Sequence, residues 1–140
     1  MKIYVASSWR TERHDEVIEA LRKARHVVYN YRESGFSWAQ IDPEWRSWSA
    51  EQYLEALHKN EAQQGFWKDF FAMSEAEVFV GVEPFGISAS LELGWAAGRG
   101  KKTILLIDDK NIKPELMTKM LTFRVASIRE LINTLEAIRK

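Results

Sequence analysis

A carboxylate set just inside a helix whose start is rich in glycine and serine is a group that can do chemistry. Glu92 stands there, in Gly86-Ile87-Ser88-Ala89-Ser90-Leu91-Glu92-Leu93-Gly94. The backbone N–H groups of a helix's first turn have no partner inside the helix, and the dipole makes that end partly positive. Ser88 or Ser90 can cap the helix, and their hydroxyls can also reach a phosphate or sugar oxygen. The same field favours an ionised Glu92, which suits a nucleophile or a stabiliser of a cationic, sugar-like transition state. An acidic residue that only complements the dipole would look the same by position.

Two further groups offer complementary chemistry. Asp69, in Gly65-Phe66-Trp67-Lys68-Asp69, is a candidate partner for Glu92, because two carboxyls with separated pKa values can divide nucleophile and acid–base duties. Ser7-Ser8-Trp9-Arg10 closes the first strand, and two hydroxyls with an arginine can hold a phosphate. The alternatives are a helix-surface acid and a serine that only shapes a turn. Trp38, Trp45 and Trp48 crowd one irregular stretch, where aromatic faces either stack on a base or hold the loop and an interface together. His14, His26 and His58 lack metal-ligand spacing, so neither a metal nor a cofactor is expected.

These residues need a scaffold, and the pattern supplies one. Strands are expected at Lys2–Ala6, His26–Tyr31, Val78–Val82, Thr103–Ile107 and, weakly, Phe123–Ala126. Helical spacing of Val17, Ile18, Leu21 and Ala24 marks a helix that Thr11 can cap. Further helices are expected at about 50–60, 66–76, 88–99, 113–120 and 127–139, with an irregular Trp-rich insertion at 35–48 and a turn at Glu83-Pro84-Phe85-Gly86. Strands alternating with helices imply right-handed crossovers and a doubly wound, five-stranded parallel sheet covered on both faces. Ligands in such α/β sheets sit beyond the carboxyl ends of the strands, where strand order reverses. The turns after the first and third strands, Ser7 to Arg10 and Glu83 to Ser90, would line that crevice.

Bulk composition narrows the partners. At 140 residues the chain is expected to form one domain, spanning 1–140. With 20 basic and 20 acidic residues it carries no formal charge, which argues against a strong grip on nucleic acid or an anionic membrane. Cysteine is absent, and with it disulfides, thiolate catalysis and Cys-based zinc sites. No apolar run approaches the ~18 residues of a membrane span, and Met1-Lys2-Ile3 leads into a strand rather than a signal peptide, so a cytoplasmic location is expected.

The opening Lys-Ile-Tyr-Val-Ala, Asp69 before Ala72-Met73-Ser74-Glu75-Ala76-Glu77-Val78, and Leu91-Glu92-Leu93-Gly94 with Ala96, Ala97, Gly98 and Lys101-Lys102 together carry a family likeness. They resemble the nucleoside 2-deoxyribosyltransferase-like superfamily over most of the chain. The resemblance implies a flavodoxin-like fold, a homo-oligomer, usually a dimer, and cleavage or exchange of the N-glycosidic bond of a nucleoside or nucleotide. It implies that Glu92 attacks the anomeric carbon and that Asp69 contacts the sugar or assists departure of the base. It further implies that Tyr4, Ser7, Ser8 and Arg10, with Gly86, Ser88 and Ser90, hold the sugar and any 5′-phosphate. Gly86 stands where transferases of free nucleosides commonly carry an aspartate, and Ser88 and Ser90 suit the branch in which a hydrolase acts on a nucleotide. Two other readings share the pocket: a non-catalytic nucleotide-binding module, and an NAD hydrolase of the Toll/interleukin-receptor type, which also uses a glutamate after a flavodoxin-like strand.

Overall fold

A computed structural model describes residues 1–84 and 86–140 and separates into two compact units, Met1–Asn30 with Glu75–Lys140, and Tyr31–Ser74. Phe85, within the expected turn Glu83–Gly86, lies outside the described residues. The helices are α1 (His14–Lys23), α2 (Ala50–Ala56), α3 (Asn60–Glu75), α4 (Ile87–Gly98) and α5 (Ile128–Arg139).

The first unit is built on β1 (Lys2–Ala6), β2 (Val27–Asn30), β3 (Val78–Val82), β4 (Lys102–Leu106) and β5 (Phe123–Val125). All pair in parallel, in the order β2-β1-β3-β4-β5. The chain steps outward from β1 to β2, then returns and proceeds the other way from β3, so strand order reverses between β1 and β3. The doubly wound α/β sheet expected from the alternation is present. Successive side chains of a strand face opposite sides of the sheet. Ile3, Val5, Val78, Val80, Val82, Ile104 and Leu106 share one face with Val17, Ile18 and Leu21 of α1 and with Leu131 and Leu135 of α5. The other face receives α4, which packs on β1, β3 and β4. Gly81 is what lets it approach: a Cβ there would lie 2.5 Å from Cδ1 of Leu93.

In the first unit the helices depart from expectation in two places. Thr11 does not cap α1, whose N-cap is Arg13 with no side-chain bond; the Thr11 hydroxyl is committed elsewhere. The expected helix at 113–120 is replaced by 3-10 turns at Asp109–Asn111 and Leu116–Met120, with Pro114 between them lacking the N–H that a continuous helix requires. Ser127, by contrast, caps α5 by accepting the Glu130 N–H.

In the second unit the Trp-rich stretch is irregular, as its composition suggests, and consists of short 3-10 turns at Tyr31–Glu33, Trp38–Gln40 and Trp45–Ser47. Trp38 meets Phe36, Trp48 and Tyr53 edge-on at 4.9, 5.7 and 6.0 Å. The Trp48 indole N–H donates to Asp42 at 2.7 Å. That bond, then the Glu44 N–H, holds the Asp42 carboxyl below its usual range. Helix α3 begins six residues earlier than the apolar pattern implies and runs through Gly65. A glycine inside a helix costs about 1 kcal/mol relative to alanine, but here a Cβ would meet the Phe36 ring at 2.9 Å. Packing of the irregular segment therefore selects a residue that local propensity disfavours.

Candidate active site

Helix α4 brings Glu92 to the sheet in its second turn, half-buried. Its N-cap is Gly86, which has no side chain to cap with, so neither Ser88 nor Ser90 caps the helix. The Ser90 hydroxyl instead donates back to the Gly86 carbonyl at 2.9 Å. Ser88 is exposed in the first turn.

The partner of Glu92 comes from β1. Tyr4 is fully buried, and its phenol O–H donates to Oε2 of Glu92. Sheet register explains how that hydroxyl is aimed. Tyr4 lies beside Tyr29 on β2 and Phe79 on β3, and the three rings form a row on the α4 face. Ring centroids are 5.5 Å apart for Tyr4–Tyr29 and 5.1 Å for Tyr4–Phe79, both stacked. Phe79 in turn touches Trp95 of α4 at 6.1 Å. Lys101 crosses the end of this row, with Nζ 5.9 Å from the Phe79 ring and 5.7 Å from Trp95 while it donates to the Ala76 carbonyl at 2.6 Å. The phenol is thus clamped between two rings, and the carboxylate it holds is fixed at the point where strand order reverses.

The loop after β1 is tied down from within. The Ser8 N–H donates to Thr11 Oγ1 at 3.0 Å and the Arg10 N–H to Ser8 Oγ at 3.1 Å. The Thr11 hydroxyl donates to the Pro84 carbonyl at 2.5 Å, joining this loop to the one after β3 across the switch point. The Ser7 hydroxyl lies 2.6 Å from Nδ1 of His14, and Nε2 of that ring lies 2.7 Å from Oδ1 of Asn30. Ser7 and His14 are buried. Metal-ligand spacing in the sequence does not single out His14 or Asn30. The usable signal was a histidine opening α1 between polar residues that end two adjacent strands.

Next to this crevice, at the carboxyl ends of β3 and β4, stand Glu83 and Asp108. Burial raises the Glu83 carboxyl above its ordinary range, and the Asp108 charge adds to that. The Asp108 carboxylate is held low, first by the Asn111 side chain and then by the Lys110 N–H. Arg10 is exposed. Asp69 is half-buried on α3, in the second unit. The structure therefore joins Tyr4 to Glu92 and Ser7 to His14 within one unit. Among the described residues, no group of three His, Asp or Glu is arranged to hold a metal ion.

No family model and no curated protein matches the chain. Solved structures do. A 2-deoxyribosyltransferase from Bacillus psychrosaccharolyticus superposes with a TM-score of 0.69 at 21% identity, over 95% of this chain and 91% of that one. The CMP N-glycosidase BcmB of Clostridium botulinum superposes with a TM-score of 0.53 at 18% identity, over 97% of this chain and 99% of that one. The chain thus has the fold of 2-deoxyribosyltransferase and nucleotide N-glycosidase structures, as the sequence resemblance implied.

Proposed function

We propose that this protein binds a nucleoside or nucleotide at the β1/β3 switch point and breaks its N-glycosidic bond through Glu92. The observation that carries the reading is the Tyr4–Glu92 contact. A carboxylate held in one orientation by a buried donor, at the position where α/β sheets take their ligands, is prepared to meet a reacting carbon. Both structural neighbours named above act on glycosidic bonds by their names, a transferase and an N-glycosidase.

In the proposed reaction an oxygen of Glu92 attacks the anomeric carbon as the carbon–nitrogen bond breaks. The bonding pair leaves with the base, and Asp69 supplies or shares the proton that the departing nitrogen takes up. A glycosyl ester of Glu92 results. Water then attacks the same carbon, its proton passes to the carboxylate that lost one, and Glu92 leaves as the carboxylate. If a second base attacks instead, the product is a new nucleoside. Where the ligand carries a 5′-phosphate, exposed Arg10 and Ser88 are the groups proposed to meet it, with the Gly86–Ser90 turn against the sugar.

A homo-oligomer belongs to the same reading. The outer side of α4 supports it, because its apolar Ile87 and Leu91 are 81% and 67% exposed. Sedimentation would check it. A cytoplasmic location, where nucleotide pools are held, would be checked by cell fractionation.

The test is incubation of the protein with nucleosides, their 5′-monophosphates and NAD, followed by chromatography for free base. Base release from a nucleoside or monophosphate is expected. Ligand-induced thermal stabilisation with no release would replace the enzyme by a binding module, and release from NAD alone would select the NAD hydrolase.

A further inference from the structure

Helix α3 has two apolar faces, and the chain leaves one of them largely exposed. The covered face holds Ala62 and Met73, both buried, with Gly65 beside the Phe36 ring. The other follows the spacing i, i+3, i+4, i+7, i+8, i+11 as Gln63, Phe66, Trp67, Phe70, Phe71 and Ser74. Residues so spaced lie along one stripe of a helix. Four of the six are aromatic and none is charged. Phe66–Trp67, Phe66–Phe70 and Trp67–Phe70 already touch, with ring centroids 5.3, 5.4 and 5.9 Å apart. Yet Phe66, Trp67 and Phe71 are 56%, 60% and 68% exposed. A surface helix ordinarily turns polar residues outward. Here a cluster of rings faces out.

We infer that this stripe is a self-association surface, on which α3 of a second copy of the chain packs across a two-fold axis with α2 at the margin. The inference rests on the homo-oligomer of the proposed function and names the surface that forms it. Charge speaks against a lipid or nucleic-acid surface as the occupant. The second unit, Tyr31–Ser74, carries four basic and seven acidic residues, a net charge of −3, so anionic lipid and phosphate are repelled. The stripe itself is neutral, and Lys68, off the stripe, donates to the Ser34 carbonyl at 2.9 Å. A two-fold axis sets a patch against its own copy. An uncharged face of ring edges and ring planes is complementary to itself. Area agrees. At roughly 150–250 Å² per aromatic side chain, the three exposed rings offer on the order of 350 Å². Tyr53 and Leu54 of α2 and its C-cap Leu57, just before α3, add to this at 48%, 58% and 41% exposure. Two copies would together cover about 1,200 Å², where stable interfaces begin.

Sedimentation velocity of the full chain tests this, with circular dichroism confirming that each variant is folded. Wild type should sediment as a pair at micromolar concentration. Trp67→Glu and Phe71→Glu, both at exposed positions, should weaken pairing by about 30-fold or more, the effect of losing one interface hot spot. Folded variants that pair as tightly as wild type would overturn the inference. Loss of pairing in Leu91→Glu but in neither α3 variant would move the interface to α4, rejecting this surface while the homo-oligomer stands. A wild type that stays monomeric throughout the micromolar range would overturn both, and base release through Glu92 would still be decided by its own assay. Pelleting of wild type with vesicles of phosphatidylcholine and phosphatidylserine, lost in Phe71→Glu, would give the face to a lipid surface and overturn the inference.

Discussion

At the scale of single residues, Tyr4 and Glu92 form one hydrogen-bonded pair. Removing only the phenol oxygen in Tyr4→Phe keeps the stacked row of rings and deletes the bond to the carboxylate. If that bond aims Glu92, kcat for base release should fall by up to about 100-fold with little change in KM. Stability should fall by about 1.5 to 3 kcal/mol, the usual range for a bond to a charged group. An unchanged kcat would show that Glu92 needs no such clamp. A second contrast concerns phosphate. Arg10→Ala or Ser88→Ala is expected to weaken a 5′-monophosphate more than its nucleoside, read by titration; equal losses would count against phosphate contact there. Glu92 was legible in the sequence, because its run of small residues lies between two strongly apolar strands. The role of Tyr4 was not, since a buried tyrosine in a strand reads as core until the register shows which helix its hydroxyl meets.

Among the elements, α4 carries Glu92, the proposed nucleophile, and the sheet fixes its height. The close approach rests on Gly81, where Leu93 occupies the space a side chain would take. Gly81→Ala puts a methyl 2.5 Å from a buried leucine carbon, so α4 must lift or Leu93 must turn. Overpacking of this kind costs about 1 to 3 kcal/mol. Denaturant unfolding should show that loss, and activity should fall more than stability does, since a lifted helix moves Glu92 from the Tyr4 hydroxyl. A variant as stable and active as wild type would mean the contact is slack. Strand positions were legible almost to the residue, because buried parallel strands read as continuous apolar runs. The cap of α1 was not. Thr11 offered the right side chain for a cap, but its hydroxyl found the Pro84 carbonyl on a distant loop, and no local pattern encodes that competition.

For the molecule as a whole, the end of the first unit opposite the site holds a pH-sensitive contact. His26 is buried at the start of β2, with an Arg139 N–H donating to its Nδ1 at 3.0 Å. Burial first, then the positive charges of the chain's amino group and Arg139, hold its pKa below the ordinary value, and Glu136 opposes them. A histidine with a lowered folded pKa binds its proton more readily when unfolded. Its stabilising share is complete above about pH 6.5 and is lost as pH falls through the folded value. Thermal melting should therefore occur at a lower temperature at pH 5 than at pH 7, and Arg139→Gln should shrink the difference. A difference that Arg139→Gln leaves unchanged would place the acid sensitivity elsewhere.

The same first unit gathers the strand ends, α4 and the tied loops at its carboxyl edge, and the chemistry proposed there turns on one carboxylate. The direct measurement is free base released from nucleosides and 5′-monophosphates by wild type and by Glu92→Gln, with circular dichroism confirming that both are folded. If Glu92 attacks the anomeric carbon, the folded variant loses on the order of 1,000-fold or more of the rate. Release at the wild-type rate by folded Glu92→Gln would show that the bond is broken by another group.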